Sequence, residues 1–256
     1  MKYFLANHKM NFTYKDMNSY WKTFNEIYVK NKENPKLKME NKKVGFFVPF
    51  TNLKETKKLI KNSGVMLGAQ NVHFADNGSY TGEISADMLK ECQTDIVLIG
   101  HSERRKFAGE TDEDINKKIK QMMKYNIKSL LCIGETKEER KKLLTKKVIA
   151  SQLKKALADL YENEFNNIII AYEPVWAIGT GEVATNKMIE EAILLIREVL
   201  KDLFNEKIAS QTPIIYGGSV TAENCKQLNK IKNLNGFLIG ASSLNPTTFN
   251  NIIANC

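Results

Sequence analysis

The sequence lacks the features that mark secreted, zinc-binding and membrane proteins. Its four cysteines are scattered and contain no C-x-x-C pair, so neither a disulfide framework nor a zinc site is expected (Cys92, Cys132, Cys225 and Cys256). No apolar run follows the N-terminus that is long enough for a signal peptide or a membrane span. We therefore expect a cytoplasmic protein with no membrane partner.

Signatures of nucleotide binding and of a second domain are absent as well. No G-x-G-x-x-G follows the first apolar run, which weakens the case for a dinucleotide-binding sheet, and no G-x-x-x-x-G-K-[ST] marks a nucleoside-triphosphate site. No stretch rich in proline, glycine and serine divides the chain. The only segment that resembles a surface insertion is 31–43, which is polar and rich in lysine. One domain over residues 1–256 is the expectation.

Acidic residues are outnumbered: 38 lysine and arginine residues face 29 aspartate and glutamate residues, a net charge of +9. Such a surface could bind nucleic acid or gather anionic substrates. The alternative is that the lysines lie on solvated helix faces. The lysine-rich stretches follow helical patterns with glutamates mixed in, as in 135–140, and no aromatic residues are interleaved. The sequence thus favours solvated helices and no nucleic-acid partner.

What the chain has in abundance is a regular alternation of short apolar runs and longer amphipathic segments. Most runs are continuous rather than alternating, which is typical of strands buried on both faces of a parallel sheet. A clear helical stripe begins after Thr185, a plausible N-cap. Runs with helices between them suit an α/β fold, either a (β/α)8 barrel or a doubly wound open sheet, and their number and the chain length favour the barrel. The predicted strands are 3–6, 44–48, 65–69, 96–99, 130–133, 168–171, 214–216 and 237–239.

Residues whose side chains could take part in catalysis or binding lie directly after these predicted strands. In a parallel barrel, function gathers at the carboxyl ends of the strands. Lys9 there is a candidate cation for an anionic substrate, or merely one of many lysines. Its spacing from Asn7 would put both side chains on the same side of an extended chain. His101 opens a helix, whose N-terminus disfavours a positive imidazole, although a lone histidine is more often structural. The residues at these ends are Asn7 and Lys9, His101 and Glu103, Glu173, and the small-residue turns 217–219 and 240–243.

The stretch 171–181 is the most unusual of these ends. Glu173 stands at the end of its strand, directly before Pro174, which restricts the glutamate to an extended conformation. An apolar segment, 175–178, follows where solvent would be expected, and Gly179 and Gly181 close its far side. This composition indicates a lid that closes over an active site next to the Glu173 carboxylate. A buried loop with a structural glutamate fits the stretch alone equally well.

The two small-residue turns on the last strands indicate an anion site. Each turn leads toward a helix, so backbone N–H groups and a helix N-terminus are available to a phosphate, and barrels often bind phosphate there. The alternative is a pair of tight turns that need glycine only for their backbone geometry.

Together these segments resemble the triosephosphate isomerase family, from Tyr3 to about Ala254. The motifs that carry the resemblance are Asn7-x-Lys9 and the segments 100–105, 171–181, 216–220 and 236–240. The resemblance implies interconversion of dihydroxyacetone phosphate and D-glyceraldehyde 3-phosphate through an enediol(ate), without cofactor or metal. A rival is another phosphate-binding barrel, such as an aldolase with Lys9 as its Schiff-base lysine.

The resemblance also implies a role for each residue, in a family that is itself a standard illustration of tuned acid–base pairs. Glu173 would be the base, and neutral His101 the electrophile that shuttles protons between the substrate oxygens. Lys9 and Asn7 would stabilise negative charge on oxygen. Glu103 would orient Lys9 and the start of the helix, with a role in proton transfer as the alternative. A lid over 174–184 would close on the substrate. Backbone amides that would hold the phosphate lie near Gly179, Ser219, Gly240 and Ala241.

The resemblance also bears on quaternary structure, and the chain differs from the family's usual sequence at His8 and Ala241. The resemblance implies a homodimer in which the loop around Thr81 reaches the other subunit's site. His8 stands where the family commonly has tryptophan, and strand alternation predicts that it stays outside the site. Ala241 replaces a glycine of the phosphate turn, which would carry an energetic cost if its φ were positive.

Overall fold

Eight parallel strands pair in sequence order, and the last pairs with the first, which closes them into a barrel. The computed structural model describes residues 1–178 and 182–256. Every predicted strand is present, and the (β/α)8 barrel is confirmed over the open sheet. The strands are β1 (Lys2–Asn7), β2 (Lys42–Val48), β3 (Met66–Ala69), β4 (Ile96–Ile99), β5 (Lys128–Ile133), β6 (Ile168–Tyr172), β7 (Ile214–Tyr216) and β8 (Gly236–Ile239).

Helices cover the outside of the barrel and return the chain from each strand to the next. They are α1 (Tyr14–Glu33), α2 (Leu53–Leu59), α3 (Ala86–Glu91), α4 (Ser102–Phe107), α5 (Asp112–Lys124), α6 (Lys137–Lys141), α7 (Thr145–Ala156), α8 (Asn186–Leu203), α9 (Glu206–Gln211), α10 (Cys225–Leu228) and α11 (Pro246–Asn255). Within the described ranges, none of them is long and apolar enough to cross a bilayer.

The strands are buried on both faces, as their continuous apolar runs predicted. Alternate side chains point inward and form a small cluster that fills the barrel, which includes Leu5, Leu98, Leu130 and Ile169. The neighbours of these residues point outward to a larger core beneath the helices. The interior of the barrel is therefore filled with side chains.

Helix α8 confirms the prediction made from its apolar stripe. The Thr185 hydroxyl accepts a hydrogen bond from the Met188 N–H and caps the helix, while Ile189, Ile193 and Ile196 on one face are buried. Capping satisfies a backbone donor that would otherwise lack a partner. The cap thus fixes where the chain re-enters regular structure after the predicted lid.

The lysine-rich segment 31–43 is less of an insertion than its composition suggested. Helix α1 runs to Glu33, two short 3-10 turns follow, and β2 begins at Lys42. Lys38, between the turns, has a φ of 46°, and the buried side chain of Met39 anchors the segment to the core. A helix end, two turns and a strand start therefore account for the whole segment.

Candidate active site

The predicted site residues come together in one cavity of about 210 Å³ beyond the carboxyl ends of the strands. Glu103 lies beside this cavity, against Lys9, and the predicted phosphate ligand Gly179 lies outside the described residues. A larger groove of about 590 Å³ runs between α2 and α3, but it opens near the amino ends of β3 and β4, away from this chemistry. The predicted residues that line the cavity are Asn7, Lys9, His101, Glu173, Ser219, Gly240 and Ala241.

Glu173 is a buried carboxylate, with only 2% of the residue exposed. Its backbone N–H donates to the Ile133 carbonyl oxygen over 2.7 Å, which continues the β5–β6 pairing beyond β6. Its Oε2 accepts a hydrogen bond from the Ser102 N–H at 3.2 Å. A Cβ added at Gly217 would come within 2.8 Å of Glu173 Cγ. Gly217 is therefore needed to make room for the Glu173 side chain. The sequence predicted a phosphate turn at 217–219 but did not indicate this steric role.

His101 lies at the N-terminus of α4 with a defined tautomer. Its Nδ1 accepts a hydrogen bond from the Glu103 N–H at 3.2 Å, so this nitrogen carries the lone pair and the proton of the neutral ring is on Nε2. The Nε2 atom lies 3.3 Å from Glu173 Oε1. The prediction that His101 opens a helix is confirmed, and the N–H at its free end points into the cavity beside the carboxylate.

Lys9 reaches the cavity through a turn rather than as part of the strand. We expected an extended chain to place Asn7 and Lys9 on one side, but Lys9 has a φ of 50°, so this reason was wrong. Instead, the Lys9 N–H donates to Asn7 Oδ1 at 3.0 Å, and Gln70 Nε2 donates to the Lys9 carbonyl oxygen at 2.8 Å. The Lys9 ammonium then pairs with Glu103 Oε1 at 2.6 Å. An amine nucleophile needs a free lone pair, so an ammonium held in this ion pair argues against a Schiff-base role for Lys9.

His8 points away from the cavity, as strand alternation predicted. Its ring is fully buried and lies between the rings of Phe12, Tyr20 and Phe46, with centroid distances of 4.8, 5.1 and 5.4 Å. Among the described residues, neither ring nitrogen has a hydrogen-bond partner. Burial lowers the pKa of His8 to about 3, because the apolar surroundings disfavour the imidazolium.

The two turns after β7 and β8 face one another across the far end of the cavity. Ser242 Oγ donates to the Val220 carbonyl oxygen at 2.7 Å and joins them. Ala241 begins a 3-10 turn, Ala241–Leu244, and it is not among the residues with a positive φ. The condition under which alanine would carry an energetic cost, a positive φ, is therefore not met at this position.

The first part of the predicted lid is attached to a carboxylate that sequence reasoning missed. Glu135 is fully buried after β5 and accepts hydrogen bonds from Trp176 Nε1 at 3.0 Å and from the Tyr172 hydroxyl at 3.2 Å. Arg140 Nη1 pairs with the same carboxylate at 3.0 Å and the guanidinium stacks over the Trp176 ring. Burial and the charge of Glu135 raise the pKa of Tyr172. The available signal was a glutamate two residues after a predicted strand.

Beyond this anchor, the chain passes through Gly179, Thr180 and Gly181, which lie outside the described residues. On the far side, Glu182 pairs with Lys137 at the start of α6. Both described ends of the predicted lid therefore contact the loop and helix that follow β5. No group of three or more His, Cys, Asp or Glu side chains in 1–178 and 182–256 could hold a metal ion.

Comparison with known proteins connects this geometry to one family. The family model described as triosephosphate isomerase matches residues 2–256. A triosephosphate isomerase of Aquifex aeolicus is 44% identical over 97% of this chain and 96% of that protein. One from Dictyoglomus turgidum is 39% identical over 98% of both chains, and one from Alkaliphilus metalliredigens is 43% identical over 80% of this chain and 83% of its own length.

Proposed function

The chain belongs to the triosephosphate isomerase family, and from that premise we propose how its residues perform the family's reaction. It interconverts dihydroxyacetone phosphate and D-glyceraldehyde 3-phosphate. The reaction moves one proton between neighbouring carbons and another between neighbouring oxygens, and an enediol(ate) is the intermediate. The single observation that carries the assignment of roles is the buried contact of 3.3 Å between Glu173 Oε1 and His101 Nε2.

Glu173 is the base that takes the carbon-bound proton and returns it to the other carbon. Its carboxylate lies in the cavity wall with little access to water. Its Oε2 accepts a hydrogen bond from the Ser102 N–H, and its Oε1 lies 3.3 Å from His101 Nε2. Rotation of the side chain away from Ser102 would bring it to the substrate carbons.

His101 is the electrophile that serves the substrate oxygens. Its Nδ1 accepts from a backbone N–H, an interaction that protonation would abolish, so the ring works as a neutral donor through Nε2. It can give the Nε2 proton to one oxygen and recover it from the other. Lys9 and Asn7 stabilise the charge that develops on oxygen, and Glu103 fixes the Lys9 ammonium through the 2.6 Å ion pair.

The phosphate group occupies the far end of the cavity, on the turns that contain Ser219, Gly240 and Ala241. Backbone N–H groups bind phosphate without a charged side chain, and the Ser242–Val220 hydrogen bond keeps the turns in register. We assign the remaining contact to Gly179, which the family motif suggests and which lies outside the described residues. Ala241 suits this role because its turn does not require glycine.

Closure of 174–184 protects the intermediate. An enediolate beside a phosphate ester readily expels phosphate if water reaches it, so the lid must close before the proton is moved. Closure also removes water from Glu173 and strengthens the electrostatic contacts in the cavity. The hydrogen bond from Trp176 to Glu135 fixes the position of the first part of this segment.

The assembly and location of the enzyme are further parts of the proposal. The loop that carries Tyr80 and Thr81 is exposed in the single chain, and a homodimer would cover it by inserting it beside the partner's site. Residues 1–256 form a single domain, since one barrel uses strands from both ends of the chain. Four free thiols suit a reducing cytoplasm.

A coupled assay with D-glyceraldehyde 3-phosphate tests the residue roles. Glu173→Gln should lower kcat by roughly 10²–10⁴-fold, the loss typical of a general base. Glu26→Gln, at an exposed position of α1, is the matched control and should retain full activity. An unchanged kcat in a folded Glu173→Gln enzyme would remove Glu173 from the mechanism.

A further inference from the structure

Arg105, in α4, connects three segments of the chain close to the catalytic cavity. Its guanidinium donates through Nε to the Gly100 carbonyl oxygen at 2.8 Å and through Nη2 to the Cys132 carbonyl oxygen at 3.2 Å. Its Nη1 pairs with Asp112 Oδ1 at 2.6 Å, at the start of α5. The side chains of this ion pair are mostly buried, with 20% of the arginine and 16% of the aspartate exposed. Each guanidinium nitrogen therefore has an acceptor in a different segment.

The two carbonyl contacts lie where the pairing between β4 and β5 ends. The last paired residues are Ile99 in β4 and Leu131 in β5. Gly100 and Cys132 each come one residue later, and both are buried. A buried carbonyl oxygen needs a hydrogen-bond donor, and here one side chain donates to both oxygens. Arg105 thus continues the connection between β4 and β5 beyond their last paired residues.

Each of these carbonyl groups adjoins the backbone that carries a catalytic side chain. Gly100 directly precedes His101, and its φ of 74° sets the direction in which the chain leaves β4. Cys132 directly precedes Ile133, whose carbonyl oxygen accepts the hydrogen bond from the Glu173 N–H at 2.7 Å. The guanidinium therefore joins the backbone of the proposed electrophile to the strand that holds the proposed base.

The chain at Gly100 is packed closely against these groups. A Cβ added there would lie 2.8 Å from Ile115 Cδ1 and 3.2 Å from both Arg105 Nη2 and the Cys132 carbonyl oxygen. Because packed groups transmit displacements, a shift of the guanidinium would reach Gly100 by direct contact as well as through the hydrogen bond.

We propose that Arg105 is a positioning residue for the isomerase reaction, whose guanidinium holds His101 in place relative to Glu173. This inference rests on the roles proposed above for those two residues. Arg105 lies outside the lining of the cavity and acts through the backbone. The base must reach the substrate carbons while the imidazole N–H reaches the oxygens, and a misplacement of about 1 Å can lower a rate by about 10²-fold.

Arg105→Lys tests the proposal because lysine keeps the charge but not the geometry. An ammonium is a compact point charge, whereas the planar guanidinium presents N–H groups in several fixed directions. The variant should keep an ion pair with Asp112 and lose at least one of the carbonyl contacts. We expect kcat to fall roughly 10- to 100-fold in the coupled assay. KM should stay within about threefold, because the proposed phosphate turns follow β7 and β8 and do not contact Arg105.

Arg197, in α8, offers a matched control at the opposite end of the barrel. Its guanidinium donates to the carbonyl oxygens of Ala209 and Thr212 and to Asn235 Oδ1. Thr212 and Asn235 precede β7 and β8, so these contacts lie at the amino ends of the strands. Both Arg105→Lys and Arg197→Lys should lower the melting temperature, but Arg197→Lys should leave kcat unchanged. A purely structural role for Arg105 would give the two variants the same behaviour.

The histidine side chains provide a second measurement, since the chain has only three of them. In protein labelled with ¹⁵N-histidine, Arg105→Lys should shift the Nε2 resonance of His101 and leave the resonances of His8 and His73 unchanged. Arg197→Lys should shift none of the three. This signal reports the position of the ring and does not depend on the stability of the variant.

A kcat within twofold of the unsubstituted enzyme in folded Arg105→Lys, or an equal loss in Arg197→Lys, would overturn the proposal. If Arg105→Lys does not fold, Asp112→Ala takes its place: it removes one acceptor of the guanidinium and should lower kcat about three- to tenfold, and an unchanged kcat would be equally decisive. Glu173→Gln separates this inference from its premise. A loss of kcat in Glu173→Gln but not in Arg105→Lys would remove only the positioning role, whereas an unchanged kcat in Glu173→Gln would remove the proposed role of the base.

Discussion

Acid should destabilise this protein through a single buried ring, that of His8. The folded-state pKa of His8 is lowered to about 3 by burial, whereas an unfolded histidine titrates near a pKa of about 6.5. Below pH 6.5 the unfolded chain binds a proton that the folded chain excludes. The free energy of unfolding therefore falls as the pH is lowered, within the window from about 6.5 down to about 3.

The size of the effect follows from the difference between the two pKa values. A pH of 5 lies about 1.5 units below the pKa of an unfolded histidine. At about 1.36 kcal/mol per unit, protonation then stabilises the unfolded state by about 2 kcal/mol. The full difference of about 3.5 units, reached near pH 3, would amount to about 5 kcal/mol. Such a loss is a large part of the total stability of an ordinary domain.

His8→Phe removes the titration and keeps a ring among Phe12, Tyr20 and Phe46. Its stability at neutral pH combines two opposed terms: removal of two unpartnered nitrogens, a gain of about 1–3 kcal/mol, and a larger ring in a packed core, a loss of similar size. The informative quantity is the change between pH 7.5 and pH 5.0. We expect this change to be about 2 kcal/mol smaller in His8→Phe than in the unsubstituted protein.

Urea unfolding at matched protein concentration measures this difference. Val29→Ala, at an exposed position of α1, serves as the control: it changes no titratable group and leaves His8 and its neighbours in place, so the variant should keep the original pH dependence. Equal losses of stability in the unsubstituted protein and in His8→Phe would refute the reasoning, since the acid sensitivity would then come from other groups.

Three further substitutions test the site and its supports. Gly217→Ala, whose Cβ would come within 2.8 Å of Glu173 Cγ, should lower kcat roughly 10- to 100-fold in a folded enzyme by displacing the base; an unchanged kcat would contradict the need for this glycine. Glu135→Gln should lower the free energy of unfolding by about 2–3 kcal/mol in urea titrations, because it weakens charged hydrogen bonds that include the one from Trp176. Ala241→Gly should leave KM within about twofold in the coupled assay, since the turn has no positive φ at this position.

The fold could be read from the sequence because barrel strands have a strong local signature. A strand buried on both faces must be apolar throughout, and eight such runs with helical segments between them leave few architectures. Boundaries moved by one or two residues where a polar side chain begins a strand, as at Lys2 and Lys42. The ammonium groups of both lysines donate hydrogen bonds to backbone carbonyl oxygens, so the charged residues can begin a buried strand. Because the strands were predicted from apolar runs, the lysines were left out of them.

The location of the site residues was predictable wherever a motif kept a polar residue and its neighbours together. The motifs placed Glu173 and His101 at strand ends, and the structure brings both to one cavity. The missed features depend on contacts between distant segments: Glu135 supports the lid across 41 positions of sequence, and Gly217 matters because of the side chain that lies opposite it. Lys9 was placed correctly for a wrong reason, since a left-handed turn and not an extended strand brings it to the cavity.

The contact between Glu135 and the lid has a consequence for engineering. The segment 174–178 does not contain the acceptor that defines its own rest position, because that acceptor belongs to the loop after β5. If the lid sequence alone were transplanted into another barrel, it would therefore lack its hydrogen-bond acceptor Glu135 and would adopt a different position. The smallest transferable unit is a pair of adjacent loops, 134–140 together with 171–178, and libraries that vary the two jointly should yield more working enzymes than libraries that vary either one.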